Sequence, residues 1–180
     1  MTQHEYVFVA ISIILGLAIT RLLHTVAMLI RVHRRVTFHW STALWGLCVL
    51  AYVLQFWWVG WGLRDLESWH FGDFVVLIVG AICVYGAAEM ALPVPEGSGN
   101  LDFLIHSESL GRLSCLSMLL YFLVGGIATG LEKKTMGEIH QQEWEFYAVT
   151  FCLFLVFALP GFIYRHDLRH HIDRAKKRIH

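Results

Sequence analysis

Two ionisable side chains interrupt long apolar stretches: Arg21, between Glu5 and Ile30, and Glu89, between Asp73 and Pro93. A charge in hydrocarbon costs about 2.5–3.5 kcal/mol even on the lenient insertion scale, so each calls for a partner or a role. Arg21 lies 16 residues inward from Glu5, and Glu89 lies 16 inward from Asp73. At 1.5 Å per residue, both fall roughly 24 Å below the outer boundary of a spanning helix. Opposite charges at one height are expected to pair. His24, one turn beyond Arg21, is expected to join them. The same count back from Glu132 lands between Ser114 and Ser117, and from Glu145 it lands beside Pro160, whose ring leaves the Val156 carbonyl without its usual bond. Arg21, Glu89, His24, Ser114 and Ser117 therefore make up the expected intramembrane polar layer. Three roles stay open for it: an ion pair that fixes two helices, an arginine that snorkels to the head groups unpaired, or a gate, sensor or relay.

Other constellations point less clearly to chemistry. Of eleven histidines only His24 is well inside an apolar stretch, whereas a haem between helices needs two at compatible depth. His166 and His170 stand four apart beside His171, a spacing that suits a metal on a helix, yet the surroundings read as a solvated basic helix. Arg165 and His170 also match the Arg-x4-His spacing of HEPN ribonucleases, without the rest of that helical domain. His106, Ser107, Glu108 and Ser109 share one short loop with Asp102 upstream, and sequence neighbours of this kind rarely form a triad. The cysteines Cys48, Cys83, Cys115 and Cys152 fall in separate apolar stretches and read as packing residues. No metal and no cofactor is expected.

The elements that position these residues follow from composition. The 180-residue chain is 57% hydrophobic and 16% charged, against about 45–50% and 25% for soluble domains. About 20 apolar residues cross the hydrocarbon core as a helix. Five segments meet that length, near residues 5–30, 41–63, 73–93, 113–131 and 145–164. The expected fold is an all-α, polytopic transmembrane helix bundle, with residues 1–164 as one domain and 165–180 as a basic tail. Ser12, Gly16 and Thr20 on the first helix, and Gly126 and Gly130 on the fourth, are the expected close-packing faces. Met1 to Glu5 lacks the basic start of a signal peptide.

Basic residues choose the side. Arg31, Arg34, Arg35, Arg112, Arg165, Arg169, Arg174, Lys176, Lys177 and Arg178 fall on one side, ten against three for Arg64, Lys133 and Lys134. The N-terminus is thus expected outside and the C-terminus cytoplasmic. Trp57, Trp58, Trp61 and Trp69 crowd the outer ends, and Trp40 and Trp45 mark the inner side, where indoles favour the head-group boundary. The tail residues Arg165, Arg169, Arg174, Lys176, Lys177 and Arg178 are expected to contact anionic lipid head groups. The formal net charge of zero argues against a nucleic-acid partner.

The first sixty residues resemble a set of uncharacterised small bacterial polytopic membrane proteins. The likeness rests on Glu5-Tyr6, the run from Ser12 to Leu17, Arg21-Leu22-Leu23, and Trp45 followed by Trp57-Trp58. It implies the bacterial inner (cytoplasmic) membrane and carries no activity with it. The expectation for function is a homo-oligomeric, pore-forming, sensory or accessory subunit without catalysis of its own. The alternative is a membrane-embedded enzyme acting on a lipid-borne substrate through cytoplasmic-loop groups such as His106 and Glu108.

Overall fold

The computed structural model describes residues 3–37, 40–65, 69–95 and 101–136, with side chains in the last stretch described from 110 to 126. The expected fifth span, near 145–164, and the basic tail lie outside the described residues. Four helices make up the described chain: α1 (Gln3–Arg31), α2 (Trp40–Gly62), α3 (Phe71–Ala91) and α4 (Phe103–Met136). Short 3-10 turns, His33–Arg35 and Leu63–Asp65, follow α1 and α2. Among the described residues the regular structure is otherwise helical, with one two-residue parallel pair, β1 (Val36–Thr37) with β2 (Leu101–Asp102), in register Val36 with Leu101 and Thr37 with Asp102.

Among the described residues three helices are long and apolar enough to cross a membrane, over His4–Arg31, Thr42–Trp61 and Phe71–Ala91, and the part of α4 whose side chains are described, Leu110–Gly126, is apolar as well. At 1.5 Å per residue the 21 residues of α3 extend roughly 32 Å, close to the ~30 Å of hydrocarbon. The outward surface matches that solvent. Ile13, Leu17, Leu23, Leu47, Leu54 and Ile82 are all exposed, an apolar exterior no water-facing monomer tolerates over such an area.

Side-chain contacts give the helix directions. His4 near the start of α1 bonds the Gly60 carbonyl near the end of α2 at 3.1 Å, so these two run antiparallel. Tyr6 and Phe74, both early in their helices, face each other at 6.5 Å, so α1 and α3 run parallel. The ends of α1 and α3 therefore lie on the same side of the bundle, and β1 and β2 pair in parallel. Asp73 Oδ2 accepts the His70 backbone N–H at 2.9 Å, satisfying one donor at the start of α3.

Helix α3 is the central element, packed against α1, α2 and α4. Its buried positions are Gly80, Ala81, Cys83, Val84, Ala87, Ala88 and Ala91, nearly all small. In lipid no hydrophobic drive separates helix from solvent, so close backbone approach and van der Waals contact supply the association. The close contacts are specific. A Cβ at Gly86 would sit 2.9 Å from Ser117 Oγ, and one at Gly46 would sit 2.9 Å from Leu92 Cδ2. One at Gly80 would lie 3.2 Å from Phe56 Cζ. By contrast, a Cβ at Gly16 or Gly126 would meet nothing within 4 Å. Among the described residues the close glycine contacts are thus on α2 and α3; Gly16 and Gly126 make none, and the surroundings of Gly130 lie outside the described side chains.

Candidate functional site

Arg21 comes from the last third of α1 and Glu89 from the end of α3. Because the two helices run parallel and start at one level, residues equally far along them face each other at equal height. Arg21 Nη2 lies 2.7 Å from Glu89 Oε1, a charge-assisted contact between helices. Both side chains are about one-third exposed, 33% and 35%, so the pair sits at the edge of the described bundle rather than in its core. Tyr85, one turn before Glu89 on the same helix, donates its hydroxyl to Glu89 Oε2 at 3.5 Å, the outer limit of a hydrogen bond. The Nε of Arg21 is buried with no hydrogen-bond partner. The Arg21 carbonyl accepts from Thr25 Oγ1 at 3.0 Å, and the Gly16 carbonyl from Thr20 Oγ1 at 2.8 Å, the usual way a hydroxyl is satisfied within an apolar helix.

Ser114 and Ser117 lie on the other flank of α3. Ser114 Oγ donates to the Ala87 carbonyl at 2.7 Å, and Ser117 Oγ to the Cys83 carbonyl at 2.7 Å. Trp45 of α2 completes the first of these, its Nε1 donating to Ser114 Oγ at 2.9 Å in a buried site. Ala87 and Glu89 are two residues apart, hence about 3 Å in height but roughly 200° around the helix. The ion pair and the serine bonds therefore occupy neighbouring levels on opposite sides of α3, and no bond joins Ser114 to Arg21 or Glu89 among the described residues.

His24 is exposed on α1 and makes no bond to Arg21 or Glu89 among the described residues. Two participants escaped the sequence reading. Tyr85 carries a usable signal, the four-residue spacing to Glu89 that places both on one helix face. Trp45, one of the indoles the sequence assigns to the head-group boundary, is 8% exposed and bonded across the bundle, while Trp40, Trp57, Trp58 and Trp61 are exposed. Trp61 stacks edge-on with Phe8 at 6.0 Å and lies 5.6 Å under the Arg64 guanidinium at the opposite end. The side chains of His106 and Glu108, and the residues Arg165, Arg169, Arg174, Lys176, Lys177 and Arg178, lie outside the described set.

The fold and this centre define a membrane-embedded helical protein with an interhelical ion pair. Residues 107–169, about a third of the chain, match the sequence family described as Protein of unknown function (DUF2818), consistent with an uncharacterised protein family. The matched stretch lies apart from the first sixty residues that carried the sequence resemblance, and begins just before the serines that bond α4 to α3. No curated protein and no solved structure matches the chain.

Proposed function

We propose that the chain is a homo-oligomeric, multi-pass protein of the bacterial inner membrane, N-terminus outside, working as a pore-forming, sensory or accessory subunit without catalysis of its own. The observation that carries this reading is the Arg21–Glu89 contact at 2.7 Å with both side chains a third exposed. An ion pair within a membrane calls for protein or water over its open side. Lipid tails cannot meet that need, which favours a second copy, or an aqueous path between copies, against the face shared by α1 and α3. The ten-to-three bias of basic residues supports the orientation.

The test is to reconstitute the full chain in liposomes and nanodiscs. The proposal expects more than one copy per disc and either ion flux or partner retention, with both reduced in Arg21→Gln and Glu89→Gln. A strictly monomeric, non-conducting chain whose only change on substitution is lower stability would contradict it.

A further inference from the structure

Between the second half of α1 and the first half of α2 runs a groove of about 410 Å³, on the scale of a small-ligand pocket. Leu22, Val26 and Leu29 line it from α1 and Leu47 and Leu50 from α2, with Leu92 packed close against Gly46 also in the lining. Among the lining residues only His33 has a polar side chain, and it closes one end. His33 is flanked in sequence by two cationic residues that do not themselves line the groove, Arg31 at the end of α1 and Arg34 in the turn that follows. All three are exposed, and neither arginine has an ion-pair partner among the described residues. The Ile30 carbonyl lies 3.1 Å from His33 Nδ1 and can only accept, so Nδ1 carries a proton and Nε2 is left for a ligand.

We infer that this groove binds one chain of an anionic phospholipid, with the head group held by Arg31, His33 and Arg34. The apolar walls suit an acyl chain, but bulk lipid tails do so equally, so selectivity falls to the charged end. Basic groups next to a membrane surface attract anionic lipid and do not distinguish neutral tails. A second copy suits the groove poorly. Docked about a two-fold axis along the bilayer normal, it would set Arg31 and Arg34 against their own counterparts. The inference concerns the α1–α2 groove and does not depend on the function proposed for the α1–α3 pair.

The experiment is native mass spectrometry of the full chain from nanodiscs of phosphatidylcholine alone and of phosphatidylcholine with phosphatidylglycerol. One phosphatidylglycerol per chain is expected to survive release, preferred over phosphatidylcholine. Arg31→Gln and Arg34→Gln should each lower that preference about fivefold. Leu47→Trp, at an exposed groove position, should abolish retention of either lipid while the protein stays monodisperse. Equal retention of the two lipids, a preference unchanged by both arginine substitutions, or retention that survives Leu47→Trp would overturn the site. So would cross-linking that places a second copy in the groove.

Discussion

Trp45 of α2 donates its indole N–H to Ser114 of α4 at 2.9 Å, and the same serine oxygen donates to the Ala87 carbonyl of α3 at 2.7 Å. One hydroxyl thus ties three helices together in a buried site. In an apolar interior such a bond is hard to replace, because no water reaches the group left behind.

Ser114→Ala should therefore destabilise the bundle by about 1–3 kcal/mol, and Trp45→Phe by about 1 kcal/mol. The two act on one bond, so the double variant should cost less than the sum of the singles. Unfolding in mixed micelles, followed by circular dichroism, measures all three.

Glycines should separate by what they face. Gly86→Ala drives a methyl into Ser117 Oγ at 2.9 Å and puts the Ser117–Cys83 bond at risk, so a loss of about 1–3 kcal/mol is expected. Gly126→Ala meets nothing within 4 Å and adds a better helix former, so its effect should be neutral or slightly stabilising. Thermal unfolding of the pair in one detergent gives the comparison.

His24 offers an internal control. It is exposed on α1 and bonds neither charge of the pair among the described residues, so His24→Leu should change stability by no more than about 0.5 kcal/mol. A loss as large as that of an Arg21 variant would place the histidine in the polar layer after all.

The orientation is tested by labelling. In a chain cleared of its native cysteines, Arg34→Cys should react with a membrane-impermeant maleimide only after the cells are opened. Arg64→Cys, at the other end of α2, should react in intact cells. The reverse pattern would reject the N-outside assignment.

Several features were legible from residues alone, each for a physical reason. Long apolar runs must become helices in lipid, because no water satisfies the backbone there, and α1, α2 and α3 begin and end within about two residues of the expected spans. The common height of Arg21 and Glu89 follows from two equal counts along helices that start together. Azimuth was harder to read. Helices α2 and α3 are apolar almost all round, so nothing in their pattern marks the side facing protein. Sequence pattern therefore does not separate Trp45 as a buried donor from a boundary indole, nor the closely packed Gly46, Gly80 and Gly86 from the open Gly16 and Gly126. The serines illustrate both sides. Their level on α4 could be counted, but their turn away from the ion pair, toward the far flank of α3, depends on how α4 leans against its neighbour.

Mutual stabilisation of Arg21 and Glu89 across α1 and α3 is measured most directly by the charge-swapped double variant. Arg21→Ala and Glu89→Ala each leave the other charge without its partner. Because both side chains are partly exposed, the cost should be about 1–3 kcal/mol rather than the 3–5 of a fully buried pair. Folded yield should fall in each single variant and in Arg21→Glu or Glu89→Arg alone, and recover substantially when the last two are combined. If the alanine variants fold normally and the swapped pair shows no coupling, the two charges do not depend on each other and the proposed centre is wrong.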